Sequence, residues 1–215
     1  MISSPEMFIN MKRIPDKSSK DYKAFFNLEK KKIKQGVVIN GTLIPGWLYW
    51  HINHWTIDID TQHPSGYLER RTQKPDLRDN EWMIGEAIHG AEVNKNGLLI
   101  LGSRQLGKSE FGASYMGRRS VAFKNTQNIV AGLSTPDLTL LTSKIDRGFV
   151  NLHPHFRPTK ISNNWNKEVV LGYKDKQGER YKFSEILIRN LDGGDNTENL
   201  AGPTTSSLLL DEVGT

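Results

Sequence analysis

Residues 102 to 109 read Gly102-Ser103-Arg104-Gln105-Leu106-Gly107-Lys108-Ser109, two glycines four residues apart with Lys and Ser directly after the second. No other stretch constrains the fold so strongly. The pattern works as a turn between a strand and a helix. Its glycines let the backbone curl so that successive N–H groups point inward, and the following helix adds its positive end. Such a loop is suited to phosphate oxygens. Lys108 offers a cation to the β- and γ-phosphates of a nucleoside triphosphate, and Ser109 offers a hydroxyl to Mg2+. A chain of this length carries the full pattern by accident on the order of one per cent of the time.

The flanking sequence supplies what the loop needs. Leu98 to Leu101 is short and wholly apolar, as buried parallel strands are, and a helix is expected from Ser109 to Phe123. Ile129 to Leu133 reads as a second buried strand. Ser134-Thr135-Pro136-Asp137 opens another helix, with Pro136 suited to its first turn. Val169 to Tyr173 and Arg180 to Ile188 flank a polar turn at Asp175 to Gly178 and suggest a β-insertion. Gly193 to Thr205 reads as a polar loop or short helix. Ser207 to Leu210 is a third buried strand, and it runs into the adjacent carboxylates Asp211 and Glu212. That is the form of a Walker B element: Asp211 is placed to hold Mg2+, and Glu212 to polarise an attacking water as general base. Arg104, inside the loop, has the reach to stabilise charge on a γ-phosphate. The expected fold is α/β, a P-loop core with a mostly parallel sheet.

The preceding third of the chain reads differently. Lys20 to Gln35 is an expected helix, capped by Ser18 or Ser19, with Tyr22, Phe25, Phe26 and Ile33 as its apolar stripe and Gly36 as its stop. Its other face carries Lys20, Lys23, Lys30, Lys31, Lys32 and Lys34, either a solvated face or one turned toward DNA or a partner. Asn40-Gly41 between Val37–Ile39 and Thr42–Ile44 signals a hairpin. Trp47, Tyr49, Trp50 and Trp55 lie among Leu48, Ile52 and Ile57, which favours a packed side-domain core over a base-stacking surface. A second hairpin is expected from Thr56–Asp60 and Tyr67–Arg71 around His63 to Gly66. After Pro75, Asp79 is placed to cap a helix through Trp82, Ile84, Ala87, Ile88 and Ala91, closed by the turn Asn94 to Gly97. The expected division is residues 1–75, a helix plus β-hairpin and aromatic lobe, and residues 76–215, the P-loop core.

Composition narrows the class further. The formal charge of +5 fits a polyanionic partner without requiring one. The absence of cysteine excludes disulfides and thiolate metal sites, and suits a reducing cytosol. No signal peptide opens the sequence, and no apolar run approaches the roughly 18 residues of a membrane span. His51 with His54, and His153 with His155, lack a convincing third metal ligand.

With these residues in place, the chain resembles the N-terminal ATPase domain of the large terminase subunit of tailed double-stranded DNA viruses. The resemblance is carried by Leu98-Leu99-Ile100-Leu101 running into Gly102 to Ser109, with Arg104-Gln105 between the glycines. It also rests on Asn199-Leu200-Ala201-Gly202 ahead of Leu208-Leu209-Leu210-Asp211-Glu212. It spans Asp76 to Thr215, and Gly36 to Lys74 is similar to the N-terminal lobe that some of these proteins carry. The resemblance implies a RecA-like (ASCE) core that uses ATP and Mg2+. Gly102, Ser103, Arg104, Gln105, Leu106, Gly107, Lys108 and Ser109 would then hold the phosphates, and Ser109 and Asp211 the metal. Lys108, Arg104 and Glu212 would act in catalysis, and Gln73, Arg78 and Trp82 are the open candidates for contacting adenine.

It further implies hydrolysis coupled to translocation of double-stranded viral DNA into a procapsid. A homo-oligomeric ring would work on the portal protein with a small terminase subunit, in the cytoplasm of an infected bacterium and without a membrane partner. Members of that family continue past Walker B into a coupling motif and an RNase H-type nuclease. Because the sequence stops at Thr215, an N-terminal piece or shortened product lacking both is expected, truncated after the Walker B strand with an open apolar sheet edge. A P-loop DNA helicase or other DNA-dependent ATPase, and a nucleotide-binding assembly fragment without turnover, are the alternative readings.

Overall fold

In the computed structural model, which describes residues 14–101, 107–191 and 205–211, the first helix, α1, spans Asp21–Gln35. Neither Ser18 nor Ser19 holds its cap position, which Lys20 occupies without a side-chain cap; Ser19 Oγ, one residue earlier, accepts the Asp21 N–H at 3.2 Å. Gly36 closes it with φ 84, and a Cβ there would lie 2.4 Å from the Ile44 carbonyl oxygen, so both torsion and space require glycine. Phe26 and Ile33 are buried as the apolar stripe predicts, with Glu29 buried between them. Strands β1 (Val37–Ile39) and β2 (Thr42–Ile44) pair antiparallel. Asn40 and Gly41 both have positive φ, 49 and 79, as a type I′ turn demands.

The aromatic stretch is a helix, α2 (Gly46–Asn53), and all eight of its residues are buried. A helix covered on every side has no polar face, so its sequence lacks the 3.6-residue alternation that would announce it. Trp47, Trp50 and Trp55 are at most 1% exposed, which leaves no ring surface for a base. The second hairpin forms from β3 (Ile57–Gln62) and β4 (Leu68–Gln73). Helix α3 spans Asp79–Asn94. The expected Asp79 cap is not what starts it: Arg78 occupies the cap position, and Glu81 Oε2 accepts the Arg78 N–H at 3.0 Å. A carboxylate in the first turn is long enough to reach back to that donor.

The chain divides into two compact units, Met1–Ser103 and Arg104–Thr215. The second contains α4 (Lys108–Ala122), β5 (Thr126–Gly132), α5 (Thr135–Asn151), β6 (Thr159–Asn164), β7 (Glu168–Lys174), β8 (Arg180–Asn190) and β9 (Ser207–Asp211). Among the described residues its sheet has five strands, ordered β6-β7-β8-β5-β9. β5 runs parallel to both neighbours, whereas β6, β7 and β8 pair antiparallel. The sheet is therefore mixed rather than mostly parallel. Short polar turns join β6 to β7 and β7 to β8, and only antiparallel neighbours can be joined so tightly. Nor is β8 an insertion: Ser184 to Asn190 pairs with Thr126 to Gly132 in the middle of the sheet.

Two expected strands depart from the sequence reading. Leu98 to Leu101 forms no strand, and Leu99 and Leu101 are 73% and 82% exposed. An apolar run becomes a strand only where a neighbour takes up its backbone hydrogen bonds, and no described strand pairs with it. β9 exists but lies at the sheet edge, with Leu208 and Leu210 exposed and Leu209 turned toward α4. By contrast Ile129, Val130 and Ala131 of central β5 are buried almost completely.

Candidate phosphate-binding site

Gly107 opens the described part of the loop. Its φ of 80 is left-handed, and the nearest atom to a Cβ built there is Phe111 Cζ at 3.9 Å. Space would admit a side chain; the torsion disfavours one. The Gly107 carbonyl accepts the N–H groups of Glu110 and Phe111 at 2.9 and 3.1 Å, which starts α4 at Lys108. Lys108 and Ser109 thus occupy the first turn of a 15-residue helix, where backbone N–H groups and the helix dipole favour an anion.

The direction of α4 decides where that turn sits. Near its end, Ser120 Oγ accepts from Asn128 Nδ2 at 3.1 Å, close to the start of β5. Arg119 Nη2 likewise donates to Ser206 O, just ahead of β9. Toward its beginning, Gly112 packs on Leu209, where a Cβ would come within 2.9 Å of the leucine side chain. α4 therefore runs against β5 and β9, and its first turn lies toward their carboxyl ends. Asp211 ends β9 there, in register with Gly132 at the end of β5. The structure brings Lys108, Ser109 and Asp211 to one end of the sheet, the end where open α/β sheets bind ligands.

Neighbouring groups hold this end in place. Ser134 Oγ accepts the Asp137 N–H at 3.3 Å to cap α5, with Pro136 in its first turn as expected. Asn190 Nδ2, at the end of β8, donates to Thr135 Oγ1 at 2.9 Å. Glu110, adjacent to Ser109, accepts from Arg147 Nη2 at 2.6 Å and lies 3.8 Å from Lys144 Nζ, both on α5. This three-residue clamp fastens the first turn of α4 to α5 and went unseen in the sequence. The only trace there is a spacing of three between two basic residues on one helix face.

At the other end of the sheet is a cavity of about 270 Å³ lined by Asn125 to Gln127 and Lys182 to Glu185. Its polar groups serve each other: Gln127 and Lys182 both donate to the Glu185 carboxylate. The histidines are likewise occupied by structure. His51 stacks on Trp47 at 4.9 Å, and burial, with the nearby Lys74 charge, pushes its imidazole down to about 3. His54 Nε2 lies 3.3 Å from Glu29 Oε2. Of the adenine candidates, Arg78 lies beside Asp76, and Trp82 Nε1 donates to Glu86. Gly102, Ser103, Arg104, Gln105, Leu106 and Glu212, with Asn199 to Gly202, lie outside the described residues.

Fold and site define a mixed α/β unit with a glycine-led helix N-terminus at the carboxyl ends of its parallel strands. No protein-family model matches the chain, and no curated protein does. Two solved structures are similar in part: the large terminase ATPase domain of Thermus phage P74-26, at 19% identity, and a point mutant of it, at 20%. Each has a TM-score of 0.42 and covers 51% of this chain and 45% of that chain, so the match spans less than half the length of either structure.

Proposed function

We propose that this chain is the ATP-binding and hydrolysing part of a viral large terminase subunit. In this reading it couples hydrolysis to movement of double-stranded DNA into a procapsid, as a ring of copies on a portal protein. The observation that carries the ATPase reading is the convergence of three groups from two sequence motifs. Lys108 and Ser109 begin α4, and Asp211 ends β9, all at the carboxyl end of the sheet. The resemblance of Gly102 to Ser109 and Leu208 to Glu212 to the terminase motifs supports the more specific role.

The donor set suits the expected cofactor. Ser109 and Asp211 offer a hydroxyl and a carboxylate, the hard oxygen donors that Mg2+ takes. When bound, Mg2+ neutralises charge on the β- and γ-phosphates. The chain's own residues bind and orient. Gly107 sets the turn, Lys108 contributes a cation, and Arg147 with Lys144 neutralises Glu110 so that its charge does not oppose the phosphates. Glu212 is assigned the orientation of the attacking water, and Arg104 the charge that develops on the γ-phosphate, both from the motifs alone.

Measuring ATP turnover by the intact chain and by Lys108→Ala tests the site directly. Loss of turnover in the variant is expected, at roughly a hundredfold or more for removal of a charge-stabilising group. Equal rates would remove the assignment. Mg-ATP binding in calorimetry without phosphate release would instead place the chain among nucleotide-binding fragments that do not turn over.

A further inference from the structure

The outer face of α1 carries a lysine stripe that the nucleotide site does not use. At 3.6 residues per turn, Lys20, Lys23, Lys30, Lys31 and Lys34 fall within an arc of about 100°, and all five are exposed. Asn27 is the one other residue in that arc. The helix's two carboxylates lie off it: Asp21 is to one side, and Glu29 is buried with Lys32 and Tyr49 on it. The stripe extends roughly 21 Å along the helix at 1.5 Å per residue.

We infer that this stripe is a sequence-independent contact for the phosphate backbone of duplex DNA. Charge complementarity argues for a polyanion. A membrane surface is disfavoured, because a helix lying on lipid needs apolar side chains beside its basic ones. Here Phe26 and Ile33 are buried in the lobe core, and Leu28 is the one exposed large apolar side chain of the helix, too little for a lipid-binding face. A single strand is disfavoured as well, since the arc presents no aromatic ring for a base to stack on. The inference deepens the proposed function and rests on it for the choice of DNA over duplex RNA. It does not involve the phosphate loop, so the two can fail separately.

The test is binding of the intact chain to a fluorescein-labelled duplex by anisotropy, followed from about 50 to 200 mM salt. Lys20, Lys23 and Lys31 are replaced together by Gln. The control replaces Lys167, Lys174 and Lys176, exposed lysines of the second unit, with the same change in charge. The α1 variant is expected to lose at least tenfold in affinity. Its log–log salt slope should be shallower by about 0.9 for each lost lysine–phosphate contact, with circular dichroism and Mg-ATP binding unchanged. Equal losses in the two variants, or an unchanged slope, overturn the inference. So does loss of binding to phosphatidylserine vesicles with DNA binding intact.

Discussion

Gly107 acts through a torsion angle rather than through space. Nothing presses on the position of its absent Cβ, yet its φ of 80 is one that an L side chain adopts only at a cost of about 1–2 kcal/mol. Gly107→Ala should therefore lower the melting temperature slightly while lowering Mg-ATP affinity more than stability, because the strained turn sets the first amides of α4. Calorimetry and thermal unfolding on one sample separate the two effects, and Gly107→Asn should recover part of the loss, since Asn tolerates the left-handed region. An alanine variant with wild-type affinity would show that the turn's conformation is not what matters. Lys108, Ser109 and Asp211 stand out as candidates in the sequence because the motifs that single them out are made of immediate neighbours. The Glu110–Arg147 clamp could not, because its partners are brought together only by packing of α4 on α5.

Elements with a local signature were legible. α1 has one apolar stripe and a glycine stop, and both N-terminal hairpins carry turn residues between alternating strands. α2 and β6 lack such signatures. α2 is buried on all sides, and β6, Thr159–Asn164, is a polar edge strand whose alternation is too weak to notice. Gly172 shows what pairing demands of one position. It sits where the β7–β8 register shifts, and a Cβ there would lie 2.1 Å from the Tyr181 carbonyl oxygen and 2.2 Å from Ile161 Cδ1. The first of these is backbone and cannot swing aside. Gly172→Ala is expected to destabilise the sheet by about 1–3 kcal/mol, read as a lower urea midpoint with an unchanged slope. Gly178→Ala, in the open turn nearby, tests torsion alone and should cost less. A neutral Gly172→Ala would mean that the strands can separate there without loss.

Across the whole molecule, the two units differ in what titrates inside them. In the first, His51 is held neutral down to about pH 3 by burial and the Lys74 charge, while an unfolded histidine takes a proton near 6.5. The unfolded state thus binds more protons as pH falls, and stability drops from about pH 6.5 toward 3, with a slope approaching about 1.4 kcal/mol per unit. Glu29 acts in the same direction. Burial alone would raise its carboxyl, but hydrogen bonds from His54, Lys32 and Tyr49 outweigh that and hold it below the usual range. Its contribution is present above the unfolded value of 4.5 and is lost as pH falls through the lower folded one. Urea unfolding followed by tryptophan fluorescence reports mainly on this unit, through Trp47, Trp50 and Trp55. His51→Phe should flatten the dependence above pH 5, and an unchanged slope would remove His51 as its source. The same division runs between what was readable and what was not. The α5 cap and the tight turns were set by residues adjacent in the chain, because torsions and short hydrogen bonds act over a few positions. Whether Leu98 to Leu101 became a strand, which strands paired in parallel, and which carboxylate met which guanidinium depended on partners distant in sequence, and only packing supplies those.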